Sequence, residues 1–396
     1  MLKKIKTEIR FKKPILALGG QLKAGFCVAK DKSLFVNNSF GDLEDPKNLE
    51  LFEKDLRNIL KNLKITPRVI AYDLHPEYLT TKLAKGMHEA DMRIKLIGIQ
   101  HHHAHIASCY LEHNLKGPVI GICFDGTGFG ADGTLWGAEF LVADLKGYKR
   151  IAHLEYVPLI GGEAAIKEPL RVAFAWLYKT YQDKISKLNI DFVKRLDKKE
   201  TGIFKQMLKK EINCPPSSSM GRLFDGVSSL LGLGDRVDFE AQAAIKLEKL
   251  ATSVIGLFLR LRSGQAGYLA SPAGRRVIGY NYKINYINEV YVISPQPMFR
   301  EIVKDLRKKV SRNEVALKFH YTIISMMRDV CRIIREKTKL NSVVLSGGVF
   351  QNRILKEEGR RCLREDGFRV LVHSAFSATD SSLCLGQAVI ANNQRG

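Results

Sequence analysis

An α/β fold of two facing lobes is what the sequence predicts, on three observations. A strand-rich opening followed by alternating helical and strand patterns occurs twice along the 396 residues, once before about residue 115 and once after it. Each copy places glycines between its first two strands: Gly19-Gly20 in one, and Gly126, Gly128, Gly130 and Gly133 in the other. Each copy also opens with three strands in succession. That meander argues for a mixed sheet over the plain parallel sheet that strict alternation would give. Duplicated lobes of this pattern are ribonuclease-H-like, the architecture of the actin, hexokinase and Hsp70 ATPases, with a cleft between the lobes where a nucleotide can sit. The expected first lobe is 1–115. The second is 116–396, with a helical insertion at about 164–335.

The elements follow in order. Residues 14–19, 25–30 and 33–39 are strand-like, separated by Gly-rich or charged turns. A helix is expected over 47–63, opened by Asp45-Pro46, with Leu49, Phe52, Leu56, Ile59, Leu60 and Leu63 at helical spacing. A strand at 68–73, a helix at 77–90, a strand at 94–99 and a helix from about 101 to 113 complete the first copy. The second copy opens with strands at 118–125, 134–143 and 148–157, and helices then dominate from 164 to about 260. A strand at 341–345 leads through Ser346-Gly347-Gly348 into a helix from about 350 to 364, before a strand at 368–372 and a last helix at 381–392. No short-period repeat is present, which excludes a solenoid.

Composition narrows the function classes. Hydrophobic residues make up 45% and charged ones 26%, a globular profile and not a disordered one. No apolar run approaches the ~18 residues of a membrane span, and the basic N-terminus lacks the apolar core of a signal peptide, so the expected compartment is the cytoplasm. Seven cysteines without a CxxC pair argue against a zinc finger or a disulfide framework. The formal charge of +22 could steer an anion, a nucleic acid or an acidic protein. Its lysines are dispersed along helices, however, and that pattern reads first as a solvated surface.

Four of the ten histidines fall in Gln100-His101-His102-His103-Ala104-His105, at a strand-to-helix junction. His101 and His105 stand at i, i+4, one turn apart on one helix face, so two imidazoles can hold one divalent ion. His102 and His103 point elsewhere, to packing or hydrogen bonds. A carboxylate must complete the site. Asp125, ending an apolar strand, and Asp380, before the last helix, are the candidates, and Asp380 could equally be a helix cap. Histidine plus carboxylate suits iron, zinc or manganese. Asp125-Gly126-Thr127-Gly128-Phe129-Gly130 is expected as a turn between two strands whose N–H groups can cradle phosphate, although a hairpin bulge explains it as well. Gly347 and Gly348, between a buried strand and a helix, aim backbone N–H groups at an anion, with Asn352 in reach of a nucleotide or phosphate. By spacing alone Asp225 and Glu240 read as surface acids that could also reach ribose hydroxyls. No Ser-His-Asp or Cys-His arrangement can be named, so the chemistry expected is positioning and electrostatic stabilisation of a transfer from a phosphate-bearing donor.

The segments Gln100 to Ser108, Phe124 to Gly130, Gly133 to Gly137, Lys167-Glu168-Pro169, Ser218 to Asp225 and Leu345 to Arg353, with Leu16 to Gly19 and Asp73-Leu74-His75-Pro76, carry a resemblance. From about residue 14 to 391 the chain resembles the C-terminal half of the HypF carbamoyltransferases of hydrogenase maturation. The resemblance implies metal ligation by His101, His105 and Asp380, with Asp125 a further ligand or phosphate contact, and favours iron. It implies nucleotide contacts at the 125–130 turn, Asp225, Glu240, Gly347, Gly348 and Asn352. It also implies transfer of a carbamoyl group from carbamoyl-adenylate, made from ATP with magnesium as a further candidate ion, to the C-terminal cysteine thiol of a HypE-like acceptor. The family's preceding domains are not found in this sequence, so a separate adenylate-forming protein is expected to supply that intermediate. Two departures stand out. Ser381-Ser382 replaces a usual Gly-Gly and is expected to crowd the site, and Ala241 replaces a usual Gly. Transfer to a tRNA or to a small-molecule hydroxyl, or a nucleotide-binding scaffold without turnover, are the alternative readings.

Overall fold

The computed structural model describes residues 2–38, 40–260 and 279–394. Ser39, closing one expected strand, and residues 261–278 of the expected insertion lie outside the described residues. The first half runs β1 (Lys3–Ala17), β2 (Phe26–Asn37), α1 (Pro46–Leu63), β3 (Val69–Asp73), α2 (Leu79–Ala90), β4 (Lys95–Ile99) and α3 (His101–Glu112). The second runs β5 (Val119–Phe129), β6 (Leu135–Ala143), β7 (Tyr148–Leu154), β8 (Val157–Pro158), α4 (Ala164–Lys167), α5 (Pro169–Tyr181), α6 (Asp191–Lys194), α7 (Lys198–Lys210), β9 (Pro216–Ser217), α8 (Met220–Leu230), α9 (Gln242–Arg260), β10 (Lys283–Ile287), β11 (Val290–Ser294), α10 (Gln296–Arg307), α11 (Arg312–Thr338), β12 (Ser342–Ser346), α12 (Gly359–Glu365), β13 (Arg369–Val372) and α13 (Leu383–Asn393).

The two mixed sheets match the expected α/β class. The first has the order β2-β1-β3-β4, and the second contains β10-β11-β7-β6-β5-β12-β13. Around β5 the second sheet carries three antiparallel strands and then two parallel ones. The first sheet has the same plan with one antiparallel strand fewer. The expected break between strands 25–30 and 33–39 is a bulge and not a turn. Asp31 takes φ +53°, the ladder with β1 shifts register there, and β2 continues. The charged run Lys30-Asp31-Lys32 looked like a turn because a bulge uses the same residue types.

Two further expectations are corrected. The insertion is not purely helical: β10 and β11 form a hairpin whose two turn residues, Asn288 and Glu289, both have positive φ, and β11 extends the second sheet by pairing with β7. The helix expected from about 350 begins later. A 3₁₀ turn over Gly348–Gln351 and a π turn over Ile354–Glu358 precede α12.

α1 illustrates how local sequence fixes an element. Asp45 accepts from Lys47 N, Pro46 sits in the first turn, and Phe52, Leu56 and Ile59 are buried on one face. α3 is the opposite kind of helix, buried from His101 to Leu111. Ala104, Ala107 and Leu111 join the core of the first sheet, while Ile106, Cys109 and Tyr110 pack on the second. α13, which the sequence order groups with the second half, packs into the first sheet's core through Leu383, Leu385, Val389 and Ile390. It meets α3 at Gly386, where an added Cβ would lie 1.9 Å from the carbonyl oxygen of Ala104. The main core lies under the second sheet, where Trp176 stacks on Phe299 at 5.3 Å. No helix among the described residues is long and apolar enough to cross a membrane.

Candidate metal and nucleotide site

β4 ends at Ile99 and Gln100 caps α3, its side-chain oxygen accepting from His103 N at 2.9 Å. The helix therefore begins on the histidines, and the 3.6-residue period puts His101 and His105 side by side with ring centroids 4.9 Å apart. Asp125 Oδ2 lies 3.2 Å from His101 Nε2 and 3.1 Å from His105 Nε2, while Asp380 Oδ1 lies 3.8 and 3.4 Å from the same atoms. All four donor atoms fall within 4.8 Å of one another. Bonds of about 2.0–2.2 Å to one ion would place neighbouring ligand atoms roughly 3.0–3.5 Å apart; the 3.1, 3.2 and 3.4 Å separations meet that span, and the 3.8 Å from His101 to Asp380 exceeds it slightly. His102 and His103 are used elsewhere, His102 against Gln100 Nε2 and His103 against the carbonyl of Asp144.

Asp73, at the end of β3, was not assigned a role from sequence. Its Oδ2 lies 2.8 Å from His101 Nδ1, and its Oδ1 accepts from His75 N at 2.9 Å. A buried carboxylate on the far nitrogen keeps the proton at Nδ1 and turns the Nε2 lone pair to the cleft. His105 has no such orienter: its Nδ1 is buried without a partner among the described residues. Burial opposes charge on His101 and His105, yet the surrounding carboxylates outweigh it and raise both pKa values. For Asp125, burial works toward the neutral acid, but the two imidazoles hold its pKa well below the ordinary value. His102, one residue along and buried without such partners, is pushed down to about 3.

Two glycine segments bring Asp125 into place. The expected turn at 125–130 is instead the end of β5. The ladder with β6 shifts register between Phe124 and Gly128, and the chain reverses near Gly133. A Cβ at Gly128 would lie 2.7 Å from His102 Cε1 and 2.9 Å from His101 Cδ2, so only glycine lets the strand pass the histidine helix. Gly347 has φ +100°, and a Cβ there would meet the Phe124 carbonyl oxygen at 2.3 Å. Next to it, Gly348 N–H donates to Asp125 Oδ1 at 3.1 Å. Asp380 sits in a 3₁₀ turn (Asp380–Ser382), and its side chain caps neither that turn nor α13. The following serines, in place of the usual glycines, bond within their own segment. Ser382 Oγ accepts from Ser377 N at 3.1 Å, and Ser381 Oγ lies 3.2 Å from Thr379 Oγ1.

A cavity of about 500 Å³ opens from Asp125. Gly126, Gly348, Asp225, Glu240 and Asn352 line it, whereas Thr127, Gly128 and Gly347 do not. Asp225 is not the surface acid its spacing suggested. It is buried beside Arg222, at 2.8 Å, and burial outweighs that partner and raises its pKa to about 6. Asn352 Oδ1 accepts from Leu355 N, and its Nδ2 lies 3.0 Å from His320 Nε2. Glu240 is exposed and pairs at 2.7 Å with Lys23, a residue of the first half with no signal in the sequence. Ala241 occupies φ +62°, the conformation a glycine favours.

Two family models match the chain. The HypF Kae1-like domain covers residues 10–112, and the carbamoyltransferase Kae1-like domain, second subdomain, covers residues 121–387. The chain belongs to the HypF family of carbamoyltransferases. A HypF homologue of Cupriavidus necator is 31% identical over 389 residues, covering 96% of this chain and 92% of its own length. The HypF carbamoyltransferase of Synechocystis is 30% identical over 95% of this chain but only 46% of its own length. The chain thus spans about half of that HypF relative. A crystal structure of full-length HypF in its phosphate- and nucleotide-bound form superposes with a TM-score of 0.87 at 39% identity, over 98% of this chain and 57% of that one.

Proposed function

We propose that this chain transfers a carbamoyl group from carbamoyl-adenylate to the C-terminal cysteine thiol of a HypE-like acceptor in the maturation of [NiFe] hydrogenase. The observation that carries the reading is a shared residue. Asp125 belongs both to the four-donor cluster and to the wall of the 500 Å³ cavity, so an ion held there borders whatever fills the cavity. His101, His105, Asp125 and Asp380 would hold a divalent ion, iron foremost and zinc or manganese otherwise, which supplies positive charge beside the phosphate.

The protein groups do the rest. The backbone at Gly126 and Gly348 faces the phosphate end, and the Lys23 ammonium adds a cation at the mouth. Asp225, Glu240 and Asn352 line the same cavity, and on this reading the two acids take the ribose hydroxyls. In the transfer, the acceptor thiol gives its proton to solvent, and a sulfur–carbon bond forms as the bond from the carbamoyl carbon to the adenylate oxygen breaks. AMP leaves with the electron pair, and a fixed set of dipoles around its phosphate favours that departure. The carbamoyl-adenylate is made by a separate adenylate-forming protein, which joins a carbamoyl donor to the AMP part of ATP with release of pyrophosphate, magnesium assisting. The seven cysteines carry no disulfide, which suits a cytoplasmic site of action.

The test is to mix the protein with carbamoyl-adenylate and an acceptor tail peptide and weigh the peptide. A peptide carrying the added carbamoyl mass, absent when its cysteine is replaced by serine, is the expected result. Tight nucleotide binding with no added mass would make the chain a scaffold. Salt-sensitive tRNA binding with no peptide product would move the acceptor to RNA.

A further inference from the structure

α3 carries the two histidines at its start and Glu112 at its end, and the second end has a task of its own. Glu112 is almost enclosed, with its side chain 6% exposed. Its Oε1 accepts from Ser374 N at 2.7 Å, from Ala375 N at 2.7 Å and from the Ser374 hydroxyl, while Oε2 accepts from Phe376 N at 3.2 Å. Three successive backbone N–H groups wrapped around one carboxylate form an anion nest at the protein surface, and charge-assisted bonds of this type are the strong ones. Burial disfavours the Glu112 charge, but these donors and His373 outweigh it and hold the carboxyl ionised.

The segment so gripped is the one that delivers Asp380. After β13 the chain runs from His373 to Thr379 without regular structure and reaches Asp380 in its 3₁₀ turn. Next to the nest, His373 Nδ1 lies 3.3 Å from Glu112 Oε2, and His373 Nε2 lies 2.9 Å from Ser346 Oγ. Ser346 Oγ in turn donates to the carbonyl oxygen of His105 at 2.8 Å. Both routes end on the cluster: one at His105 directly, the other along the gripped segment to Asp380.

We propose that Glu112 is a positioning residue of the metal site, acting through the 374–376 backbone to set the reach of Asp380 toward His101 and His105. This rests on the four-residue metal site and extends it to a residue outside the coordination shell. Two further bonds hold this stretch from outside, nearer Asp380: Asn38 Nδ2 donates to the Ser381 carbonyl oxygen at 3.1 Å, and Gly347 N–H donates to the Ala378 carbonyl oxygen at 3.1 Å. Glu112 is the anchor that grips the start of the segment, through three backbone N–H groups.

Cobalt(II) is the probe, titrated into the whole chain and followed both by calorimetry and by its visible d–d absorption. Glu112→Ala should weaken cobalt binding by about 10-fold or more, within the range typical for losing an outer partner, and change the absorption as one carboxylate is lost. Glu112→Gln keeps an acceptor at Oε1 but turns an amide against Phe376 N–H, and should fall between wild type and Ala. In an Asp380→Ala background the same Glu112 changes should alter affinity by less than about 2-fold, because a residue acting through Asp380 has nothing left to act on. Cobalt affinity unchanged in the folded Glu112 variants overturns the proposal, as does an equal loss with and without Asp380. Should Glu112→Ala not fold, Glu112→Gln and Ser374→Ala carry the same comparison. If wild type and His105→Ala bind cobalt alike, the metal-site reading itself fails, and that outcome is distinct from failure of this one.

Discussion

The two ends of the cleft are built by different rules. At the deep end every donor is largely enclosed, His101 is oriented by Asp73, and Asp125 is tied to Gly348 N–H. At the mouth Lys23 and Glu240 make one ion pair with side chains 40% and 54% exposed, Phe239 is 57% exposed, and Ala241 sits in a left-handed conformation. Exposed pairs of that kind contribute about 0–1 kcal/mol, whereas an outer partner of a metal ligand changes affinity by about 10–100-fold. On the proposed reading, the enclosed deep end would hold an ion, and the exposed mouth would yield to an entering nucleotide whose phosphates compete for Lys23.

Four changes would break or sharpen that contrast. His105→Ala removes an inner ligand and should reduce bound metal by more than the roughly 100-fold that outer partners command, as read by metal content after dialysis. Asp73→Asn keeps the volume but exchanges the carboxylate at His101 Nδ1 for an amide. Metal affinity should drop about 10–100-fold while nucleotide affinity without metal holds, and equal losses of both would show that the two ends are not separable.

Asp225→Asn tests the boundary between the ends. The folded acid keeps its proton to about 6 against 3.8 for the free group. The native state therefore binds more protons across that window, and stability falls as pH rises through it, with the cost absent below 3.8 and complete above about 6. Replacing the acid should raise stability at pH 8 by about 1–3 kcal/mol, measured by urea unfolding, and leave it unchanged or lower at pH 4. Nucleotide binding should weaken at the same time. The smallest effect is expected at the mouth: Ala241→Gly relieves the left-handed backbone and should add about 0.5 kcal/mol in the same unfolding assay. A loss there would mean that the alanine methyl packs usefully.

How far the sequence could be read follows from how local each cause is. The imidazole pair was legible because i, i+4 is a spacing within one helix turn, and the strand-to-helix junction announced itself through apolar residues up to Ile99. Asp125 and Asp380 are legible as acids at element ends and as candidates to complete the histidine site, and the family resemblance names both as ligands, although no spacing within one half fixes their distance. Asp73, Lys23 and Glu112 were not assigned. Asp73 acts on a histidine 28 positions away, Glu112 on a backbone 262 positions away, and Lys23 on an acid in the other half. Asp225 was misjudged for a related reason. Nothing in its neighbours shows that α8 is buried on all sides, and helical spacing alone cannot tell an enclosed acid from an exposed one. The bulge at Asp31 reads as a turn, and the one after Phe124 as a turn or a hairpin bulge equally, because glycine and charged residues serve both.

Gly386 has a consequence larger than its size. It carries no donor atom and touches no cavity, yet its hydrogen is what allows α13 to press against the Ala104 carbonyl, between the two histidines' helix and the turn that presents Asp380. One methyl group there would wedge the helices apart and pull a carboxylate out of bonding range. A survey of the four donor residues alone would score such a variant as intact, although their spacing had changed.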